Sequence, residues 1–537
     1  MKNFYIALSS IFVFLIFSCS EVEESPYKTV SIDVNSTGSE RTWFMALSKD
    51  SADISSDSVP TFSSEERSVT DIEKEQILIS DIFTSEDSIF LKKEPEEIIK
   101  KNENVIKSLM QENRSATNTV VTPTFDPDVT TGSSTTVYVA ASDTKFSPYT
   151  ATKMCEGTYC SIFYIDNCTV VNAETFSNKG LFEKLKEIFD DEIFPNITDI
   201  LGSYSYTNSY WRNIIKCPSK INIVIADLYN DYYTTVKNNG NGTVGYFYYG
   251  DFLTSNENQN AIIYLDTYFL QKKAEVVYTT MAHEFNHMLN FINKTIKGGS
   301  KKLYHSTWYT EMLSSLADSM FENYLVEDIA EKDTIAYQRL PFFYAWHNLG
   351  FSNWRNSTKN YFSSGDFYIS YGNVFAFGNF LAKNYGGFPL ITEIATNSYV
   401  DEESIVQAVR KINSDKSSIT FEDILKDFSC VLISDYCGDT TLPTLNKKVE
   451  YSEDIYLPAI NKTYTSILNK YYDTRTKSYS SDDIDFYAIT TVNSVPLGQY
   501  GFEIFGYTDK VISSVNATVN TEYDAIPYIV TGEQVSF

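Results

Sequence analysis

The sequence has 537 residues, of which 43% are hydrophobic and 15% aromatic. This composition excludes a wholly disordered chain, and the length predicts two or three domains because one compact core rarely grows so large. Lys and Arg number 43 against 70 Asp and Glu, a net charge of −27, which argues against nucleic acid as a partner and against electrostatic docking on an anionic membrane.

Residues 1–18 have the features of a bacterial lipoprotein signal. Lys2 precedes an apolar segment at 4–17, which is too short to span a bilayer as a stable helix. The segment ends in Ile-Phe-Ser-Cys, which resembles a lipobox with Cys19 as the lipidated first residue. A plain secretory signal with an incidental cysteine is the alternative. We expect an exported protein that is held at the bacterial envelope by a lipid anchor only, on the outer membrane or cell surface, or released from it.

Residues 19–136 predict an N-terminal region outside the main domain. They contain an alternating segment at 27–49, an acidic Ser-rich stretch at 50–70 and a charged helical segment at 92–114. The segment 115–136 has 11 Ser or Thr in 22 residues, a composition typical of a linker. The region is either a spacer that holds the next domain away from the membrane or a propeptide-like cover for its cleft, and composition does not separate the two.

Six cysteines follow Cys19, and an even number in an exported chain favours disulfides. They are Cys155, Cys160, Cys168, Cys217, Cys430 and Cys437. Fifteen pairings are open, with Cys430–Cys437 as the first local candidate. A zinc site built from the first four is the alternative, although their spacing contains no C-x-x-C pair.

From residue 137 the sequence alternates between strand and helix patterns, which predicts an α+β domain over 137–450. Predicted strands are VYVAA, IFYID, INIVIAD and AIIYLD, and residues 178–193 read as a helix. After about 450 the helical period gives way to short β segments. They predict a C-terminal β-sandwich-like domain over 451–537.

The segment 271–294 has the apolar period of an amphipathic helix. His283 and His287 stand one turn apart, about 200° from Phe285 at about 100° per residue. The helix is therefore expected to bury one side and present two imidazoles on the other. Glu284 completes His-Glu-x-x-His, in which two nitrogens bind zinc and a carboxylate lies beside the metal. A solvated face that happens to carry two histidines is the alternative, but the chain has only four histidines in all.

A catalytic zinc normally has three protein ligands, and the segment 307–325 offers the third. Its apolar stripe predicts a second helix, on which Glu311, Ser314, Ser315 and Asp318 share another face. Gly298-Gly299 breaks the chain between the helices, so Glu311 can join both histidines. Asp318 could hold a ligand histidine by its second nitrogen, or it could be an ordinary surface carboxylate.

The stretches TTMAHEFNHMLNF and TWYTEMLSSLADSMF resemble the hyicolysin-like zinc metallopeptidases, gluzincins distantly related to thermolysin. The similarity covers about 135–430. It implies a zincin-type catalytic domain, a mixed sheet plus active-site helices, with AIIYLD as the edge strand along which an extended peptide substrate lies. The residue before the third ligand is often Asn in these enzymes and is Thr310 here, which weakens any role carried onto that position.

Three further side chains are of types that occur in such sites. Tyr371, in the Ser-Tyr-Gly that begins the segment 370–387 resembling the family's downstream helix, could donate a hydrogen bond to a developing oxyanion, although the chain has 40 tyrosines. His305 and His347 are expected to be structural or exposed rather than metal ligands.

The sequence thus predicts a metalloendopeptidase with one Zn²⁺ per chain, held by His283, His287 and Glu311, with Glu284 as general base. Its partners would be protein or peptide substrates. An inactive surface lipoprotein that uses a protease fold as an adhesin or scaffold is the alternative. A third hypothesis keeps the zinc but has another amide, such as cell-wall peptide, as the substrate.

Overall fold

In a computed structural model of the chain, the described residues are 27–33, 40–48, 61–63, 92–93, 96–111, 121–142, 145–168, 173–178, 180–205, 214–216, 218–230, 242–297, 305–325, 334–347, 350–352, 354, 366–437, 442–460, 500–507, 514–520 and 525–533. They form an α+β protein, as the sequence predicts. Cys19, Cys217 and the predicted signal lie outside these residues. No helix in the described part is long and apolar enough to cross a membrane.

The described helices and strands come in runs along the chain, with eight consecutive α-helices after β11. The helices are α1 (Glu96–Gln111), α2 (Ala173–Asn178), α3 (Leu181–Glu187), α4 (Phe194–Leu201), α5 (Thr267–Lys272), α6 (Ala274–Asn290), α7 (Thr307–Leu325), α8 (Ile335–Trp346), α9 (Asp366–Tyr385), α10 (Gly387–Thr396), α11 (Asp401–Ile412) and α12 (Phe421–Cys437). The strands are β1 (Tyr27–Asp33), β2 (Glu40–Ser48), β3 (Thr61–Ser63), β4 (Lys92–Lys93), β5 (Ser134–Ser142), β6 (Lys145–Glu156), β7 (Cys160–Ile165), β8 (Ile221–Ala226), β9 (Gly242–Thr243), β10 (Gly245–Phe247), β11 (Ile262–Asp266), β12 (Val449–Glu450), β13 (Tyr456–Leu457), β14 (Phe502–Tyr507), β15 (Ser514–Asn520) and β16 (Ala525–Glu533). Turns of π-helix extend α3 through Ile188–Ile193 and α6 through Phe291–Ile296.

A six-stranded mixed sheet forms the centre of the fold, in the order β10-β11-β8-β7-β6-β5. β11, β8 and β7 run parallel and are buried along their whole length. Continuous apolar runs are typical of parallel strands that are covered on both faces. The four predicted strands fall in β5, β7, β8 and β11 and are confirmed.

The expectation that AIIYLD is the edge strand is wrong. β10 pairs antiparallel with β11, from Gly245 opposite Leu265 to Phe247 opposite Ile263. β11 therefore lies between β10 and β8, and among the described strands β10 is the last of this sheet on that side. The stretch GTVGYFYYGDF also resembles a strand of the family, but neither this resemblance nor the local pattern shows that it pairs outside β11.

Helix α6 lies against the sheet at β10 and β11 and brings the two histidines to this edge. Gly245 permits the approach, because a Cβ there would stand 2.9 Å from Thr280 Cγ2 and 2.8 Å from Tyr264 O. On its other side α6 packs against α7, which in turn contacts α9. One apolar core joins all of these helices to one face of the sheet.

The segment upstream of β5 is attached to the domain. The Val121 amide donates to Thr254 O at 3.0 Å, and Thr124 N donates to Glu257 O at 2.9 Å. Phe125 is 3% exposed and packs against Phe163. Composition predicts a linker over 115–136, whereas the described part of that segment is docked, and its last three residues begin β5.

Strands from the two ends of the sequence pair with each other. β2 lies between β14 and β16, and β15 lies between β1 and β3, with all of these pairs antiparallel. The domain division predicted from the sequence places β1–β3 and β14–β16 in separate regions. Local patterns identify such strands but carry no information about partners more than 400 residues away.

The predicted Cys430–Cys437 disulfide is wrong. Both residues belong to α12, and seven residues of helix span about 10.5 Å, which exceeds the roughly 7 Å that a disulfide allows between Cα atoms. Cys430 carries a free thiol, as do the buried Cys155 and Cys160.

Candidate metal centre

The His-Glu-x-x-His segment lies on α6, as predicted, but neither face of this helix is open to solvent. His283 is 5% exposed, His287 is 4% exposed and Glu284 is 1% exposed. The expectation of a helix with one solvent-facing side is therefore wrong. The face that carries the imidazoles is covered by α7, to which α6 is tied by the hydrogen bond from Asn286 Nδ2 to Ser314 Oγ at 2.9 Å.

His283, His287 and Glu311 converge on one point. The two Nε2 atoms are 3.0 Å apart, and Glu311 Oε2 is 3.4 Å from that of His283 and 3.7 Å from that of His287. Around a tetrahedral zinc with bonds of about 2.0–2.2 Å, ligand atoms stand about 3.3–3.6 Å apart. The triangle is thus the right size for such an ion, and the nitrogen and oxygen donors are those that zinc accepts.

Asp318 lies behind His283. Its Oδ2 is 2.9 Å from His283 Nδ1, and its side chain is 1% exposed. A proton held on Nδ1 leaves the lone pair of Nε2 free for a metal. Burial opposes the charged form of His283, but the Asp318 carboxylate, followed by Glu311, raises the pKa of this histidine well above its usual range. Metal binding then competes with a proton, so metal affinity should fall in acid.

Thr310 takes the corresponding place behind His287. Its Oγ1 is 2.9 Å from His287 Nδ1 and accepts a second hydrogen bond from Asn290 Nδ2 at 3.3 Å. No role at position 310 is expected from the resemblance, because the related enzymes often have Asn there. The available signal was the row of polar residues on α7, since Thr310 lies one turn before Ser314 and two turns before Asp318.

Tyr371 lies on α9 beside the third predicted ligand. Its hydroxyl donates a long hydrogen bond of 3.5 Å to Glu311 Oε1. The Arg339 guanidinium covers the Tyr371 ring at 4.3 Å, and the Trp354 ring meets it edge-on at 4.8 Å. These contacts fix the phenol against the carboxylate. The buried Arg339 was not among the candidates drawn from the sequence, because its nearness to the site depends on the packing of α8 on α9.

The other two histidines stand outside the ligand triangle. Burial lowers the pKa of His305 to about 3 and that of His347 to about 4. Both are therefore neutral at pH 7. His305 nevertheless lines a small cavity together with His287, Thr310 and Glu311.

The model of the Peptidase M30 family matches residues 149–439, more than half of the chain. This chain belongs to the M30 peptidase family. A neutral metalloprotease, ShpI of Staphylococcus hyicus, is 27% identical over 165 residues, which are 29% of this chain and 34% of that protein. The matched segment thus spans about a third of the relative.

Family membership agrees with the resemblance seen in the sequence. The family's description names a peptidase, and the relative is named a metalloprotease. The matched residues include α6, α7 and α9, and with them the ligand triangle, Asp318 and Tyr371.

Proposed function

We propose that this M30 peptidase is a zinc-dependent endopeptidase that acts on proteins or peptides outside the cytoplasm. The observation that carries the proposal is the triangle of His283, His287 and Glu311, in which both histidines have Nδ1 engaged elsewhere and Nε2 directed inward. We assign the catalytic domain a zincin-type fold, accompanied by a β-sandwich-like domain in which strands from after residue 450 pair with β1–β3. The mixed sheet with an antiparallel edge strand beside α6 supports the first of these assignments.

In this mechanism His283, His287 and Glu311 hold the zinc. A zinc ion bound here would supply Lewis acidity, which activates water and polarises a scissile carbonyl. Glu284 follows a ligand directly on α6 and is 1% exposed. Its carboxylate takes the proton of the attacking water and transfers it to the leaving amine. Tyr371, whose hydroxyl makes a long hydrogen bond to Glu311 Oε1, would turn this O–H to the developing oxyanion.

Buried partners keep the ligands in place. The carboxylate of Asp318 fixes the tautomer and the orientation of the His283 ring, and the hydroxyl of Thr310 orients the His287 ring. Because these contacts come from α7, the helix that also provides Glu311, one element sets the geometry of all three ligands.

The proposed location rests on the sequence alone. Lys2, the apolar segment 4–17 and Cys19 support export and attachment through lipid, as an outer-membrane or surface lipoprotein. Labelling of the expressed protein with a fatty-acid analogue, compared with Cys19→Ser, tests this part. Equal labelling of the two proteins would contradict it.

The substitution Glu284→Gln tests the chemistry. It should retain zinc, because position 284 is not a ligand, and lose about 10²- to 10⁴-fold in turnover of an unstructured peptide. Zinc content by elemental analysis and initial rates give the two quantities separately. Unchanged turnover would contradict the assigned role of Glu284.

A further inference from the structure

Helix α1 carries a polar side chain in the middle of its buried face. The face is otherwise apolar and consists of Ile98, Ile99, Val105, Ile106 and Leu109. Asn102 lies on the same stripe and is 9% exposed. A buried amide costs free energy unless it is hydrogen-bonded. Asn102 therefore marks a specific contact rather than general packing.

Both polar groups of Asn102 bond to the backbone at the end of β10. Nδ2 donates to Phe247 O at 2.9 Å, and Oδ1 accepts from Tyr249 N at 2.8 Å. Phe247 is the last residue of β10, which lies at one end of the described strand order, and Tyr249 begins the 3₁₀ turn that follows it. A carboxamide offers one donor and one acceptor, the pair that one residue of an extended peptide offers to a strand edge. Asn102 thus takes the place of a peptide group at this edge.

Two further contacts attach the same segment beside the metal centre. Glu103 Oε1 accepts a hydrogen bond from Thr307 Oγ1 at 2.9 Å, one turn before Glu311. Upstream of α1, β4 pairs in parallel with β9, which directly precedes β10. The segment from β4 to Glu103 is therefore attached at three points close to the β10 edge.

The inner face of α1 forms one wall of a cavity at the metal ligands. Ile99, Asn102, Glu103 and Ile106 contribute to this wall. The opposite side includes His287 and Glu311, which are 4% and 1% exposed. The docked α1 therefore covers one side of the approach to His287 and Glu311.

We propose that α1 is a built-in inhibitory helix, in which Asn102 occupies the backbone-pairing position of a peptide substrate at the β10 edge and the helix closes the cavity at His287 and Glu311. This inference rests on the proposed function. Of the two alternatives for the N-terminal region, a spacer or a propeptide-like cover of the cleft, α1 is then the cover. The enzyme is then latent with α1 docked, and an extended peptide competes with α1 for the same edge.

The full-length protein carrying Asn102→Ala tests the proposal. Alanine favours helix more than asparagine does, so the helix itself is not weakened, but both hydrogen bonds to β10 are lost. Lys100→Ala is the matched control, since Lys100 lies on the same helix, pairs with Glu97 and has a side chain that is 47% exposed. If Asn102→Ala does not fold cooperatively, Glu103→Ala is used in its place. This variant removes the hydrogen bond from Thr307 Oγ1.

Two rates are measured in each protein. Hydrogen exchange followed by mass spectrometry reports opening of the β10 edge through peptides that contain Tyr249. Initial rates on an unstructured peptide report access to the site, with Glu284→Gln as the blank. Both rates scale with the open fraction. Loss of two hydrogen bonds should raise each by roughly 10- to 100-fold in Asn102→Ala, with no change in Lys100→Ala and a smaller rise in Glu103→Ala.

The outcomes separate the inference from the function on which it rests. A matched rise of exchange and peptidase rate supports both. Faster exchange without peptidase activity in any protein supports a movable cover and overturns the peptidase function. Unchanged exchange, or faster exchange with a peptidase rate equal to that of the unmodified protein, overturns the inhibitory role of α1.

Discussion

Asp318→Asn isolates the charge behind His283. Asparagine is nearly isosteric, and its carbonyl oxygen can still accept the hydrogen bond from Nδ1 that Oδ2 accepts at 2.9 Å. A hydrogen bond to a charged group contributes about 1.5–3 kcal/mol, against about 0.5–1.5 kcal/mol for a neutral one. The difference of about 1–1.5 kcal/mol corresponds to roughly tenfold weaker zinc binding.

Competition with a fluorescent chelator at pH 7 measures the zinc affinity. Asp318→Ala should lose about 100-fold, because it also leaves a buried N–H without its acceptor. Asp427→Asn is the control, since this carboxylate accepts from the Tyr385 hydroxyl and takes no part in the triangle. A zinc affinity of Asp318→Asn within twofold of the unmodified protein would refute the reasoning.

Three other predictions concern the site and the fold. Glu311→Ala should lose bound zinc, and a normal zinc content by elemental analysis would remove Glu311 from the ligands. Lys294→Met should lower the free energy of unfolding in urea by about 1–3 kcal/mol, because Nζ of the buried Lys294 donates to the carbonyls of Ile394, Asn397 and Tyr399, which would lose this donor; an effect no larger than that of the exposed Lys411→Met would contradict this. The pKa of His347 is about 4 in the folded protein and 6.5 in the unfolded chain. Its contribution to the free energy of unfolding is therefore full above pH 6.5 and is lost as the pH falls toward 4, by up to about 3 kcal/mol. In His347→Gln the free energy of unfolding in urea should vary less with pH over this range, and an unchanged pH dependence would contradict the prediction.

The ligand triangle is predictable because its information is local. His283 and His287 are one helical turn apart, and Glu311 follows on the next helix of the matched segment, so periodicity alone places the three groups on facing surfaces. Asp318 follows from the same argument. The burial of the site cannot be predicted in this way, because α7 and α1 cover α6, whose own sequence has an amphipathic pattern.

Long-range partners account for the remaining differences. Asn102 donates a hydrogen bond to Phe247 O, 145 residues away in the sequence. The charged amphipathic pattern of α1 is equally typical of a solvated spacer helix, so it does not predict this contact. The three-residue β10 displaces β11 from the edge through pairing that no local pattern encodes. β2 likewise pairs with β14 and β16, which lie at the other end of the sequence. Each of these depends on tertiary packing, which overrides local propensity.

Peptide-library cleavage read by mass spectrometry tests the central claim most directly. The unmodified protein, Asn102→Ala and Asn102→Ala with Glu284→Gln are each incubated with the library, with and without a zinc chelator. The account predicts cuts within peptides that are most abundant in Asn102→Ala and absent both with chelator and in the Glu284→Gln protein. Cuts that persist in the Glu284→Gln protein, or no cuts from a folded, zinc-loaded Asn102→Ala protein, would contradict it.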